Sequence, residues 1–331
     1  MMKKILLIAT GGTIASKSGD LGLKPAIGGG DMLDYVPEIR ALCQVDSVQV
    51  YNIDSTNITP DHWITLASTI AQNYDQYDGF VICHGTDTMA YTAAALSYMV
   101  QHSPKPIVLT GSQKPIDKED TDARINLRDS FLYAISDDAA DVVIVFQGKV
   151  IAGTRAKKLR TKSYNAFESM DFPVLANIRD GRIIQYIKTP KQDKPEFFLQ
   201  LDPKVGVLTL TPGLKAEVLD MFFRYNTAVV LSGYGTGGIP EGEYYGFYDV
   251  MQSWEGKGKT LVVTTQVQHE GSDMSVYQVG RGWKNRFDLL EGYNLTYEAI
   301  TTKLMWILGH TKDDNKIKEL FYKNVNYDLI G

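Results

Sequence analysis

Short apolar segments, spaced along the first half of the chain, constrain the fold more than any other feature of the sequence. They are Ile5–Ala9, Val48–Ile53, Gly79–Cys83, Ile107–Thr110 and Val142–Phe146. Most of them are continuously apolar rather than alternating, which indicates strands that are buried on both faces. The sequence therefore predicts a mostly parallel sheet that is covered by helices on both sides.

Helical patterns separate these strands. Thr59-Pro60-Asp61 combines an N-cap residue with proline at the first helical position, and predicts a helix that ends near Asn73. Residues 88–100 are rich in alanine, with apolar residues recurring near helical spacing, and residues 123–135 have the same character. Strands that alternate with helices across short connections predict a doubly wound α/β domain.

A polar, proline-punctuated segment that begins at Thr189 interrupts this alternation. At 331 residues the chain is long enough for two domains. We predict a larger N-terminal α/β domain over residues 1–188, a linker over 189–204 and a smaller C-terminal α/β domain over 205–331. In the latter, the predicted strands are Gly206–Leu210, Ala228–Leu231 and Thr260–Thr265, and the predicted helices cover about residues 215–225, 245–255, 296–308 and 315–324.

Composition excludes several classes of protein. With 34 basic and 39 acidic residues the net charge is −5, and no basic stripe suited to nucleic acid occurs. Cys43 and Cys83 are isolated, which favours reduced core thiols over a disulfide framework. The apolar run Ile5–Ala9 is shorter than a signal-peptide core, and no stretch is long enough to span a membrane. We expect a cytoplasmic protein that binds neither nucleic acid nor membrane.

No cofactor or metal motif is present. The five histidines have no spacing typical of zinc ligands, and the chain has neither a phosphate-binding loop nor a Gly-x-Ser-x-Gly elbow. The glycines after the first strand suggest a dinucleotide fingerprint only weakly, because Thr13 and Ser16 occupy two of its glycine positions. We expect an enzyme without cofactor or metal.

Two hydroxyl-rich loops remain as candidates for chemistry. Thr10–Ser16 follows the first strand, and His84–Thr88 follows the strand Gly79–Cys83. Each has a purely structural interpretation, as a tight turn in the first case and a helix cap in the second. Together, however, they lie at the carboxyl ends of strands in one parallel sheet, where such folds bind ligands. Backbone N–H groups at the following helix starts can hold a carboxylate or an oxyanion.

At these loops the sequence resembles the bacterial-type L-asparaginases, specifically the cytoplasmic type I branch. The matching segments run in the family's order over nearly the whole chain. They are Thr10–Ala15, Asp54–Thr56, His84–Tyr91, Thr110–Ser112, Gly153-x-Arg155-x-x-Lys158 and Thr302–Gly309. The resemblance implies two α/β domains and an amidohydrolase that releases ammonia from L-asparagine without a cofactor.

The resemblance also implies roles for individual residues. Thr13 matches the nucleophile, and the second catalytic group is matched by Thr86, Asp87 and Lys158. The segment that holds the amino-acid end of the substrate is matched by Asp54, Ser55 and Thr56. Ser112 matches a position whose backbone contacts the side-chain amide.

Elementary chemistry agrees with these roles. A threonine hydroxyl is a poor nucleophile at neutral pH and needs a positioned base. Lysine can be that base where burial favours its neutral form, whereas a neighbouring carboxylate such as Asp87 favours the ammonium. Without the resemblance, Lys158 would be interpreted as one surface lysine of the basic run Lys157–Arg160.

Several alternatives stay open. A glutaminase, or the tRNA-dependent amidotransferase subunit that takes ammonia from glutamine, would carry similar threonine motifs, and a noncatalytic amino-acid sensor is a different class. The resemblance further implies a homodimer or a dimer of dimers, with Gly233–Gly238 as the candidate partner-facing loop.

One position departs from the family. Many members have a tyrosine in the mobile loop after the first motif, and here that position aligns with Leu23. Leucine cannot take part in proton transfer, so we expect Leu23 to exclude water from the site.

Overall fold

The computed structural model describes residues 2–19, 22–25, 27–191 and 194–330, with the backbone alone at 18–19 and 22–25. The chain divides into two compact units. The first extends to Leu199 and also includes Val325–Tyr327, and the second contains Gln200–Asn324 and the residues from Asp328 onward. The division at Leu199 falls inside the segment 189–204 that was predicted as a linker.

The first unit contains fourteen described strands, eight of which form the larger sheet. Its strands are β1 (Lys4–Gly11), β2 (Ser16–Gly19), β3 (Gly22–Pro25), β4 (Gln44–Ile53), β5 (Gly79–Cys83), β6 (Val100–Gln101), β7 (Ile107–Thr110), β8 (Val142–Phe146), β9 (Lys149–Ala152), β10 (Ala156–Lys158), β11 (Phe167–Ser169), β12 (Ala176–Arg179), β13 (Arg182–Gln185) and β14 (Glu196–Phe197). Its helices are α1 (Gly29–Met32), α2 (Ile39–Leu42), α3 (Pro60–Asn73), α4 (Met89–Met99) and α5 (Ala123–Ala134).

The main sheet has the order β13-β12-β9-β8-β7-β5-β1-β4. The pairs from β4 to β8 are parallel, whereas β9, β12 and β13 extend the sheet in antiparallel fashion. Counted along the chain, the parallel strands have the order 2-1-3-4-5, a doubly wound topology whose direction reverses between β1 and β5. The predicted mostly parallel α/β fold is confirmed.

Burial follows the position of each strand in the sheet. The interior strands β5, β7 and β8 are buried throughout, as their continuous apolar sequences predict. The predicted strand Val48–Ile53 belongs to β4, an edge strand with a half-exposed, irregular burial pattern. Its sequence alternates apolar and polar residues rather than being continuously apolar, which agrees with its partial exposure.

The short antiparallel strands have no counterpart among the strands predicted from the sequence. Strands β10 and β11 pair as a hairpin, and β14, inside the segment predicted as a linker, pairs with β6. Segments of two or three residues, such as these, carry too little hydrophobic periodicity to be recognised.

The second unit has its own parallel sheet in the order β15-β16-β17-β18. The strands are β15 (Val205–Thr209), β16 (Ala228–Gly233), β17 (Thr260–Thr265) and β18 (Leu290–Glu291), and the helices are α6 (Glu217–Tyr225), α7 (Phe247–Trp254), α8 (Gln278–Arg286), α9 (Tyr297–His310) and α10 (Asp314–Tyr322). A separate apolar core, which includes Leu231, Val263 and Trp283, fills this unit.

The cysteines, the longest helices and the possible metal ligands bear on the expectations drawn from composition. Cys43 and Cys83 are both free and buried. Within the described ranges, no helix has the length and apolar character needed to cross a membrane, and no cluster of three or more His, Cys, Asp or Glu side chains is arranged to hold a metal ion.

Candidate active site

The loop after β1 turns on two consecutive glycines. Gly11 and Gly12 have φ values of 102° and 77°, in the region that favours glycine. A Cβ atom on Gly12 would lie 2.4 Å from the Cα of Gly85, so the two loops touch through their backbones. The turn leads into a short 3₁₀ helix that begins at Thr13. Among the described residues, the half-buried Thr13 side chain has no hydrogen-bond partner.

The loop after β4 is organised by Asp54. One of its carboxylate oxygens accepts hydrogen bonds from the backbone N–H of Thr56 at 2.8 Å and from the Thr56 hydroxyl at 2.9 Å. Ser55 is buried, whereas Asp54 and Thr56 are exposed. This local turn presents a carboxylate and a hydroxyl group beside the buried serine.

The loop after β5 packs against both preceding loops. A Cβ atom on Gly85 would lie 2.6 Å from the Ser55 Oγ and 3.2 Å from the Gly12 Cα. The Thr88 hydroxyl donates to the Ser55 carbonyl at 2.8 Å and does not cap helix α4. Glycine at both points of closest approach allows the three loops to pack this tightly. They meet at the reversal point of the sheet, between β1 and β5.

Lys158, at the end of β10, reaches this loop from a distant part of the chain. Its Nζ donates to the Asp87 carboxylate at 2.6 Å and to the Thr86 Oγ1 at 2.8 Å. The Lys158 side chain is 15% exposed, and Thr86 is buried while the Asp87 side chain is 56% exposed. The predicted grouping of Thr86, Asp87 and Lys158 is therefore present as direct contacts.

Ser112 lies in the loop after β7, and this loop also touches the others. A Cβ atom on Gly111 would lie 2.3 Å from the His84 carbonyl oxygen. Behind the loop, the buried Asp122 carboxylate accepts from the backbone N–H groups of Gln113 and Lys114 at 3.0 and 3.1 Å. Burial raises the pKa of Asp122 above its ordinary value.

Two residues that were not predicted from the sequence also belong to the site, and the first is Gln113. Its side chain accepts from the Thr86 hydroxyl at 3.4 Å and donates to the Ser163 carbonyl at 3.1 Å. Gln113 directly follows the Thr110–Ser112 motif, which is the signal that could have identified it.

The second is His84, which supports the threonine loop from within the core. Its Nδ1 donates to the Gly85 carbonyl at 2.7 Å, and its Nε2 accepts from the Thr92 hydroxyl at 3.0 Å. Thr92 in turn accepts from the indole N–H of Trp63 at 2.9 Å. Complete burial lowers the pKa of His84 to about 4, so the ring is neutral at neutral pH and each of its nitrogens has one defined role.

The structure thus relates the predicted site residues in two ways. Lys158, Thr86 and Asp87 contact one another directly, as do Asp54 and Thr56. Thr13, Ser55 and Ser112 are joined to them through the close backbone approaches of Gly12, Gly85 and Gly111. The side chain of Leu23, whose backbone pairs with Ser18 in the β2–β3 hairpin, lies outside the described part of the structure.

Comparison with known proteins finds similar chains along the whole length of this one. The family model for the N-terminal domain of asparaginase matches residues 4–192, and that for the glutaminase/asparaginase C-terminal domain matches residues 204–321. An L-asparaginase of Thermococcus kodakarensis is 38% identical, with 99% of each chain covered. The solved structure of the thermostable enzyme from that organism superposes with a TM-score of 0.93 at 37% identity and 99% coverage of both chains.

Two other relatives bear on the alternatives. L-asparaginase 1 of Escherichia coli K12 is 33% identical over 99% of each chain. A glutamyl-tRNA(Gln) amidotransferase subunit of Pyrococcus furiosus is 32% identical, and the match covers 97% of this chain but 75% of that protein. Both halves of the chain match their family models and the full-length relatives share its whole span, so the protein belongs to the asparaginase family.

Proposed function

We propose that this protein hydrolyses L-asparagine to L-aspartate and ammonia without a cofactor. The observation that carries the proposal is the contact of Lys158 Nζ with both Thr86 and Asp87, beside the loop that bears Thr13. This places a hydroxyl, an amine and a carboxylate at the point of the sheet where doubly wound folds bind their ligands. The full-length relatives named L-asparaginase support the choice of substrate.

In the proposed reaction, the Thr13 Oγ1 attacks the amide carbon of the substrate side chain while its proton passes to a base. The C–N bond then breaks, the nitrogen takes up a proton and ammonia leaves, so that an ester joins the aspartyl group to Thr13. Water cleaves this ester, which releases aspartate and restores the hydroxyl.

Lys158 is proposed as the base of a relay with Thr86 and Asp87. In the structure it donates to the Thr86 hydroxyl and to the Asp87 carboxylate. A substrate α-ammonium placed near the exposed Asp87 would compensate that carboxylate and so release the lysine for proton transfer. The relay serves Thr13 during acylation, or a water held by Thr86 during deacylation.

The remaining site residues are proposed to bind substrate. Asp54 and Thr56 present a carboxylate and a hydroxyl suited to the α-ammonium and α-carboxylate groups, with Ser55 beside them. The loop of Ser112 would contact the side-chain amide through its backbone, and the buried Asp122 keeps that loop in place. Backbone N–H groups at such loop ends can stabilise the developing oxyanion.

The alternatives use the same chemistry on glutamine. The amidotransferase subunit is a relative of the chain, but a quarter of that protein lies outside the match. Purified protein should release ammonia from L-asparagine faster than from L-glutamine, and Thr13→Ala should lose nearly all of this activity while keeping its circular dichroism spectrum. A glutamine preference would favour the alternatives, and specific binding of an amino acid without turnover would indicate a sensor. A Thr13→Ala enzyme with more than about a tenth of the wild-type rate, a change in barrier below ~1.4 kcal/mol, would exclude Thr13 as nucleophile.

The location and the assembly of the protein are also proposals. We propose a cytoplasmic enzyme, an interpretation supported by the two free, buried cysteines. We further propose a homodimer or a dimer of dimers. In the second unit, the loop Gly233–Gly238 borders an apolar pocket of about 400 Å³ that Met274 and Tyr277 also line. The adjacent Val276 is 52% exposed and Tyr277 is 64% exposed, which suits a surface that a second copy covers.

A further inference from the structure

A segment from the far end of the chain is inserted into the first unit. Val325–Tyr327 belongs to that unit although the residues on either side of it belong to the second. The Asn326 side-chain amide donates to the Ser97 Oγ at 2.8 Å and to the Val142 carbonyl at 2.8 Å. Ser97 uses its own proton on the Ala93 carbonyl at 2.8 Å, so it can accept the bond from Asn326.

The backbone of the same segment holds a second element. The Thr154 hydroxyl donates to the Asn326 carbonyl at 2.6 Å, and the Arg155 Nε donates to the Tyr327 carbonyl at 2.5 Å. Thr154 and Arg155 are buried and directly precede β10. The inserted segment therefore contacts helix α4 through the Asn326 side chain and the start of β10 through backbone carbonyls.

These two elements position the partners of the lysine contact, which are Lys158 on one side and Thr86 with Asp87 on the other. Helix α4 begins at Met89, two residues after Asp87, whereas β10 ends at Lys158. A Cβ atom on Gly153, three residues before β10, would lie 2.6 Å from the Ser97 Oγ and 2.9 Å from the Ala93 carbonyl oxygen, so α4 and the segment that leads into β10 are in close contact. Asn326 contacts both of these parts, since its side chain bonds to Ser97 in α4 and its carbonyl to Thr154 before β10.

The backbone conformation also explains why asparagine suits this position. Asn326 and Tyr327 have φ values of 48° and 65°, in the left-handed region. Asparagine adopts that region at lower cost than most residues other than glycine. The bend turns both carbonyl groups toward Thr154 and Arg155 while the side chain points at Ser97 and Val142.

We propose that Asn326 is a positioning residue, which sets the distance between Lys158 and the Thr86–Asp87 pair by joining α4 to the start of β10. This inference rests on the proposed function in so far as Lys158 is the base. A base displaced by about 1 Å can lose as much as a hundredfold in rate. Asn326 touches no reacting atom, so its effect on catalysis passes through Lys158.

The test uses Asn326→Gly in the full-length chain, because glycine keeps the left-handed backbone and removes the amide. We expect kcat for L-asparagine to fall on the order of tenfold, with KM changed less than threefold. In a Lys158→Met background the same change should have no further effect. The matched control is Asn324→Gly, which removes an exposed amide that bonds to the Leu329 carbonyl. A kcat within twofold of wild type, or an equal loss in the Lys158→Met background, would overturn the proposal.

A second measurement does not depend on the reaction. The amine of Lys158 is protected by Asp87 and Thr86, so its acetylation by acetic anhydride, measured by mass spectrometry relative to Lys157, should rise several-fold in Asn326→Gly and not in Asn324→Gly. Unchanged labelling would overturn the positioning role. If wild type releases no ammonia, the proposed function fails while the labelling still decides the role of Asn326. If Asn326→Gly does not fold, Ser97→Ala removes the acceptor instead, and the same criteria apply to it.

Discussion

The two contacts of Lys158 with Thr86 and Asp87 determine what this single side chain can do. The ammonium group is nearly enclosed, yet it lies beside a carboxylate that is largely open to solvent. Because Asp87 is open to solvent, which screens its charge, the ion pair contributes little to stability, and its arrangement beside a hydroxyl points to chemistry rather than to folding.

Lys158→Met tests the proposed base, because methionine keeps most of the apolar stem and deletes the amine. Loss of a positioned base costs on the order of 10²–10⁴ in rate, so kcat for L-asparagine should fall by that factor. Lys157→Met is the matched control, since neighbouring residues of a strand point to opposite faces. If kcat falls less than several-fold in Lys158→Met, the lysine has a structural role only.

Asp141, directly before the start of β8, should make the stability of the protein depend on pH. Burial raises the pKa of this carboxyl to about 6 from an ordinary value of 3.8. The folded state therefore resists its ionisation, and the resulting loss of stability is absent below pH 3.8 and complete above pH 6. Asp141 has a φ of 54°, which asparagine tolerates.

Asp141→Asn should therefore raise the free energy of unfolding at pH 7.5 by on the order of 2–3 kcal/mol and leave it nearly unchanged at pH 4. Urea unfolding curves at the two pH values measure this. The exposed Asp180, which has a similar φ of 49°, supplies the control Asp180→Asn, for which we expect little change at either pH. An equal gain at both pH values would show that the effect is not one of ionisation.

At the scale of elements, the site consists of loops that follow neighbouring strands. The loops after β1, β4, β5 and β7 are locked together at glycines where a Cβ atom would clash with the facing backbone or side chain. The β2–β3 hairpin follows Thr13 and the first 3₁₀ turn closely in the chain.

Leu23, in strand β3 of this hairpin, stands where many family members have a tyrosine. We predict that the hairpin closes over the substrate and that Leu23 excludes water without taking part in proton transfer. Leu23→Ala should mostly raise KM, with kcat reduced by less than roughly tenfold, or ~1.4 kcal/mol. Steady-state kinetics of L-asparagine hydrolysis measure both. A loss of kcat comparable to that of Thr13→Ala would mean that the hairpin acts in the chemistry itself.

At the scale of the whole molecule, the prediction concerns the assembly. The exposed apolar side chains beside Gly233–Gly238 lead us to expect a dimer or a dimer of dimers at assay concentration. Sedimentation velocity measures this, and Tyr277→Lys should shift the distribution toward the monomer because it places a charge in an apolar interface. A fully active wild-type monomer would contradict the proposed assembly.

The sequence by itself determined much of this architecture. Continuous apolar runs located the buried strands β5, β7 and β8, and the Thr-Pro start located α3, because hydrophobic periodicity and capping are properties of neighbouring residues. The loops that carry Thr13 and Thr86 were recognisable for the same reason, since each motif is contiguous in the chain. Short segments such as β10 carry too few residues for such a pattern.

Only the tertiary structure decided which distant residues meet. Lys158 and Thr86 are 72 positions apart, and Asn326 and Ser97 are 229 apart, so their contacts depend on strand order and on the close approach of glycine backbones. The support of His84 shows the same limit, because Thr92, which bonds to its ring, meets the indole N–H of Trp63 only when α4 packs beside α3. Local sequence specifies which elements form and which chemical groups they present, whereas the packing of those elements sets the distances on which catalysis depends.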